Sequence, residues 1–251
     1  MYEEFKGKTI LVTGACSGMG LATVHSFAQL GANVVMLDII EDKLKEESSA
    51  LCAKGYSVIG LVCNVRSYED IQNAVDTAVK NFGGVDFTVS YAGGFPGRMC
   101  NDNKPFWERS LETLEWGIDV NFRAPMYMVR AAFPVMKDQN SGVIINIGSI
   151  DGVTGADWGL DYSAEKSGLI GLTKSTALMG APYGVRCCMI SPGPVLTRAA
   201  MANMKTPLGR AAEPQEIIDL CLFVASDKGQ FINGENIMID GGRNATGRKG
   251  C

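Results

Sequence analysis

The chain has 251 residues, 46% of them apolar, and its 23 basic against 27 acidic side chains leave a net charge of −4. That balance argues against nucleic acid as a partner, and no apolar stretch approaches membrane-spanning length, so the expectation is no membrane partner either. Eight cysteines show no CxxC pair and no metal-ligand spacing with the single His25, which predicts no metal site, buried free thiols and a reducing, cytoplasmic setting.

The first predicted strand, TILVTG (9–14), runs directly into the glycine-rich stretch TGACSGMG (13–20). A helix follows, with Leu21, Val24 and Ala28 on one face and Gly31 closing it. A strand, a glycine loop and a helix form the usual phosphate-binding unit. Gly14 permits the tight turn, Gly18 lets backbone approach a pyrophosphate, and Gly20 lets helix and sheet pack closely. The second strand, NVVMLD (33–38), ends on Asp38, where a carboxylate meets the adenosine ribose hydroxyls of a dinucleotide. A carboxylate accepts from a ribose diol and repels a 2′-phosphate. Ile39 and Ser17 bring no compensating cation, so NAD is the expected cofactor.

Further strand-like runs follow at 57–63, 85–93, 142–149, 184–191 and 235–242. Between the third and fourth, Ile71, Ala74, Val75, Ala78 and Val79 keep helical spacing. Near-continuous apolar strands alternating with helices predict one α/β domain over 1–251. It is a doubly wound Rossmann-type fold with a seven-stranded parallel sheet and helices on both faces. In YSAEK, Tyr162 and Lys166 stand one helical turn apart on the same face. A phenol with a pKa near 10 is a poor base at neutral pH, and a neighbouring ammonium favours its ionised form.

The TGxxxGxG spacing, the YxxxK pair, Ser149 ahead of Tyr162, Asn121 in DVNFRAP, SPGPVLT (191–197) and IDGG (239–242) together resemble the short-chain dehydrogenase/reductase family over nearly the whole chain. The resemblance implies interconversion of a secondary alcohol and a ketone, with hydride passing to or from the nicotinamide. It assigns proton transfer to Tyr162, an oxyanion contact to Ser149, and the nicotinamide ribose to Lys166. Asn121 would hold a water that relays protons to Lys166. It also places Ser17, Met19, Ile39, Asn64, Val65, Ala92, Gly93, Pro192, Gly193, Val195 and Thr197 beside the cofactor, and implies a homotetramer.

Departures accompany the match. The family's NNAG reads SYAG, so Ser90 and Tyr91 replace two asparagines, and Asn64 stands where an aspartate is usual. Two rival readings are a 3-oxoacyl carrier-protein reductase and a non-catalytic dinucleotide sensor. Asp38, and Tyr183 where those reductases carry an arginine, oppose the first; the complete set Asn121, Ser149, Tyr162 and Lys166 opposes the second.

The expected lid is PVLTRAAMANMKTP (194–207). Leu196, Ala199, Ala200, Met201 and Met204, with Val153 and Trp158 after Ser149, predict an apolar pocket for a small-molecule alcohol or ketone of cyclic or steroid-like shape. The long stretch 94–110 is expected to bring Phe106 or Trp107 to that pocket. Arg198 and Asp151 are either solvated loop charges or contacts for a polar substrate group.

Overall fold

In β1 (Thr9–Thr13) every position is buried, the pattern of a strand covered on both faces. The computed structural model of the chain describes residues 2–245. Within it the β1 side chains alternate between two cores: Ile10 and Val12 join one, Leu11 the other. β2 (Asn33–Asp38) repeats the division, with Val34 and Met36 on the first side and Val35 and Leu37 on the second.

The remaining strands are β3 (Val58–Val62), β4 (Phe87–Ser90), β5 (Gly142–Ile147), β6 (Val185–Pro192) and β7 (Asn236–Ile239). They form one sheet in the order β3-β2-β1-β4-β5-β6-β7. Every pairing is parallel. The first core packs under α1 (Gly18–Gln29), α2 (Glu41–Ala53) and α9 (Pro214–Ala225), and the second under α3 (Tyr68–Phe82), α6 (Ala124–Gln139) and α8 (Leu160–Gly180). The seven-stranded doubly wound sheet expected from the sequence is therefore observed.

The strands β4 and β5 stop short of the apolar runs that predicted them. Beyond Ser90 the chain turns out of the sheet through Gly93 and Gly94, both at φ 152°, and beyond Ile147 it leaves for Gly148 and Ser149. Both departures sit at carboxyl ends of strands. β1 lies between β2 and β4, so the chain reverses its direction of travel across the sheet there, and a crevice opens outside those ends.

Two short helices, α4 (Pro96–Met99) and α7 (Asp151–Thr154), lie on the rim of that crevice. The helix α5 (Leu111–Gly117) continues through a π-helical turn, Ile118–Arg123, into α6. Such a turn inserts a residue into the helical ladder and re-aims one side chain; here it carries the buried Asn121. No helix among the described residues is long and apolar enough to cross a membrane. The seven described cysteines are free, and Cys251 lies outside the described residues. His25 lies on the outer side of α1 with Nε2 3.6 Å from a Glu47 carboxylate oxygen.

Candidate active site

The glycine loop leaves no room for side chains. Gly14 and Gly18 sit at φ +65° and +51°, values that disfavour any residue with a Cβ. A Cβ on Gly14 would stand 2.9 Å from the Ala92 nitrogen, and one on Gly20 only 2.1 Å from the Gly14 oxygen. The first contact presses β1 against the turn after β4; the second presses α1 onto the loop. Gly18 and Gly20 bare the backbone at the start of α1, where the first N–H groups of the helix have no partner within it.

Asp38 closes the far end of the cleft. Its carboxylate accepts from the Cys16 N–H at 3.0 Å and from the Ile40 N–H at 3.1 Å, which fixes the group against the glycine loop. Ile39 beside it is exposed and brings no charge. This cleft, with Gly14, Ser17, Gly18, Met19, Gly20, Asp38 and Ile39 at one end and Val65, Ala92 and Gly93 along its wall, holds about 470 Å³. A nicotinamide dinucleotide fits this donor set: a glycine cradle for its phosphates and a carboxylate for a ribose diol.

Asn64 lies between Cys63 and Val65, which line the cleft. Its side-chain oxygen accepts from the Arg66 N–H at 3.1 Å, closing a local turn. Met99, Trp116 and Val120 also line the cleft and carried no motif that would single them out. Tyr91, in place of the usual asparagine, is an anchor: its hydroxyl accepts from Thr23 Oγ1 at 2.9 Å and lies 3.1 Å from Cys221 Sγ, joining α1, the turn after β4 and α9.

A second cavity of about 280 Å³ adjoins the first, and both are lined by Met19, Tyr91, Gly93, Arg98, Thr197 and Arg198. Ser149, Tyr162 and Lys166 form its floor, with Pro192, Gly193 and Val195 beside them. Burial pushes the Tyr162 phenol up to about 12, while a hydrogen bond from Ser149 opposes the rise. Lys166 is itself pushed down to about 8 by burial. Its Nζ donates to the Ile147 carbonyl at 2.8 Å and lies 5.8 Å from the Tyr162 ring centroid. In this arrangement, with the nicotinamide's positive charge not yet added, desolvation of the phenol outweighs the opposing influences of Ser149 and Arg98.

Asn121 is buried beside Gly93, close to Lys166. Its Oδ1 accepts from the Gly94 N–H at 2.9 Å, and its Nδ2 donates to the Gly94 carbonyl and to Glu165 Oε2, both at 2.8 Å. The side chain clamps the turn after β4 and a neighbouring carboxylate. Glu165 was not singled out by the sequence, yet it is buried at the site and burial pushes its carboxyl up to about 7. A charged residue just before the motif lysine, on the helix face that also buries Asp161, is the signal that finds it.

The pocket wall also differs from expectation. Trp107 is 80% exposed, and neither it nor Phe106 reaches the cavity. Phe95 and Trp158 do, edge to face at 4.8 Å. Arg109 holds them from behind. Its guanidinium sits 4.9 Å from the Phe95 centroid, donates to the Trp158 and Lys104 carbonyls, and bonds buried Asp161 at 2.5 Å. From the segment 194–207, Pro194, Val195, Thr197, Arg198, Met201 and Met204 reach the cavity and Leu196, Ala199 and Ala200 do not; nor does Val153 of α7. A Cβ on Gly18 would stand 3.3 Å from Thr197 Cγ2, so the strap lies directly across the glycine loop.

A family model described as enoyl-(acyl carrier protein) reductase matches residues 14–244. A trans-4-hydroxycyclohexanecarboxylate dehydrogenase of Sinomonas cyclohexanicum is 38% identical, over 95% of this chain and 93% of that one. The chain belongs to the short-chain dehydrogenase/reductase family. This short-chain dehydrogenase is also 30% identical to a 7alpha-hydroxysteroid dehydrogenase of Bacteroides fragilis, over 96% of this chain and 95% of that one. Among solved structures, a short-chain glucose/ribitol dehydrogenase from Brucella melitensis is 30% identical with TM-score 0.86, covering 96% of this chain and 98% of its own. A levodione reductase is 25% identical with TM-score 0.88, covering 96% and 99%. As a member of this family the chain is an oxidoreductase acting on CH–OH groups with a nicotinamide dinucleotide.

Proposed function

We propose that this short-chain dehydrogenase is NAD(H)-dependent and interconverts a cyclic secondary alcohol and its ketone. The observation that carries the reading is the junction of the two cavities: a dinucleotide cleft closed by Asp38 opens onto a pocket floored by Ser149, Tyr162 and Lys166. The bound nicotinamide supplies a hydride acceptor or donor at its C4 and, when oxidised, a positive charge. Ser149 holds the substrate oxygen by hydrogen bond and stabilises alkoxide charge. Tyr162 Oη takes the alcohol proton on oxidation and returns it on reduction. The phenol's high pKa in this setting makes it a proton donor at neutral pH, so positive charge close by is required before it acts as a base. Lys166 contributes a cation anchored on Ile147, and Asn121 and Glu165 position the turn that carries Gly93 and Gly94.

Asp38, fixed by two backbone N–H donors and flanked by apolar Ile39, supports NAD over NADP. Phe95, Trp158, Met201 and Met204 support a cyclic substrate, as do relatives whose names specify a hydroxycyclohexanecarboxylate and a hydroxysteroid. At the place where a carrier-protein reductase would present an arginine, Tyr183 packs on Phe133 with Lys137 over its ring, which opposes that alternative. The deciding experiment is an NAD+ reduction screen over hydroxycyclohexanecarboxylates, hydroxysteroids, polyols and sugar phosphates. Turnover confined to polyols or phosphates overturns the reading. Leu178, 79% exposed on α8, and Phe231, fully exposed ahead of β7, support assembly into a homotetramer.

A further inference from the structure

Most arginines of the described chain meet a carboxylate, an aromatic ring or backbone carbonyls. Arg66, Arg109, Arg123 and Arg210 each meet a carboxylate within ion-pair distance. Arg130 lies over the Tyr68 ring, and Arg186 donates to two backbone carbonyls. Arg98 and Arg198 form no ion pair among the described residues, yet both line the cavity above Tyr162. They are close enough that the Arg198 charge, after burial, is the main influence pushing Arg98 below its ordinary value. Two guanidinium groups lining one cavity repel one another, and an anion between them relieves both.

The placement selects the reacting end of the cavity. Arg98 folds back over the turn after β4: a Cβ on Gly94 would stand 3.1 Å from Arg98 Nη2. The adjoining Gly93 abuts Lys166, where a Cβ would be 3.6 Å from Nζ. Arg98 also couples electrostatically to Tyr162, each acting on the other's ionisation. Arg98, Lys166 and Arg198 line this cavity together with the carboxylate of Asp151. A chain of net charge −4 thus presents a cationic pocket.

Resting on the dehydrogenase reading above, we infer that Arg98 and Arg198 bind a carboxylate group carried by the substrate, which is therefore a cyclic hydroxy acid or keto acid and not a neutral alcohol. Arg98 offers a planar fork that matches a carboxylate with two parallel hydrogen bonds. Arg198 rides on the strap that follows Thr197, so occupancy of the clamp draws the strap over the pocket. The apolar walls made by Phe95, Trp158 and the strap methionines fit the ring that joins the carboxylate to the reacting carbon. The rival duty for these arginines is the diphosphate of the cofactor, since both also line the dinucleotide cleft. The backbone N–H groups at the start of α1 already serve that anion.

The test is calorimetric titration of cyclohexanecarboxylate, its neutral carboxamide and inorganic phosphate into wild type, Arg98→Met, Arg98→Lys and Arg198→Met, with NADH affinity measured separately. The wild type is expected to bind the acid in preference to amide and phosphate. Arg98→Met is expected to weaken the acid ~10- to 100-fold, and Arg98→Lys by less because charge remains while the fork is lost. NADH affinity and amide binding should stay unchanged in both. Equal binding of acid and amide by wild type, preference for phosphate, or a loss of NADH affinity with acid binding intact each overturns the assignment. Should Arg98→Met unfold, Arg198→Met and Arg98→Lys carry the same comparison. Binding that follows this pattern in a protein that oxidises no alcohol would sustain the clamp and reject the dehydrogenase reading, so the two fail separately.

Discussion

Asn121 donates to the Glu165 carboxylate at 2.8 Å, tying the π-helical turn ahead of α6 to the buried face of α8 one residue before Lys166. Burial, and after it the nearby Asp161 charge, raise the Glu165 carboxyl from its ordinary 4.5 to about 7, against the opposing hydrogen bond from Asn121. The folded chain therefore keeps this proton over a range in which the unfolded chain has lost it. Its contribution to stability falls as pH rises from about 4.5 to about 7 and is level above that. Glu165→Gln keeps the acceptor for Asn121 without the charge. It should flatten that part of the profile and gain on the order of 1–2 kcal/mol at pH 8. Urea unfolding of both proteins between pH 4.5 and 8 checks this, and an unchanged slope in the variant rejects it.

Arg109 and Asp161 form an ion pair with side chains only 2% and 5% exposed. Removing one partner leaves a buried charge uncompensated, a loss of about 3–5 kcal/mol. Arg109→Met should lower Tm and, by releasing Trp158 and Phe95, raise KM more than it lowers kcat. The double variant Arg109→Met with Asp161→Leu should recover most of the stability, because no charge is then stranded. Thermal melts of the three proteins decide it.

Asp38→Ala combined with Ile39→Arg should shift affinity from NADH towards NADPH by at least ~10-fold, since a repelling carboxylate is replaced by a phosphate-binding cation. Fluorescence titration of both cofactors reads the ratio. Equal affinity of the unmodified protein for the two cofactors contradicts the role given to Asp38.

Tyr162→Phe removes one hydroxyl and leaves the packing of the ring. It should lower kcat by ~10²- to 10⁴-fold while NADH binding stays intact, as expected for loss of a positioned acid/base. Substantial turnover in this variant would sink the assigned mechanism.

Light scattering at micromolar concentration is expected to show a tetramer, and Leu178→Glu or Phe231→Glu to reduce it to smaller species. A monomeric wild type rejects the assembly.

The strands, their burial on both faces and the cradle of Gly14, Gly18 and Gly20 were determined by the sequence itself, because these features depend on local periodicity and on the volume of a missing Cβ. Asp38 at the end of β2, and Tyr162 one turn from Lys166, were legible for the same reason: spacing along one strand or helix sets their geometry. Tertiary structure alone decided which distant side chains meet. Trp107 is as large and apolar as Trp158, yet only Trp158 reaches the pocket, because Arg109 grips its carbonyl from across the chain. Asn64 bonds within a local turn, and Asn121 spends its amide on Gly94 and on Glu165. Arg98 sits in the short helix α4 with no motif around it. Its closeness to Arg198 and Tyr162 exists only once the turn after β4 and the strap after β6 have folded over the same crevice. Charge recognition is a property of such encounters. Sequence spacing does not encode it, because electrostatic energy depends on separation in space and on burial, and both are set by the packed chain.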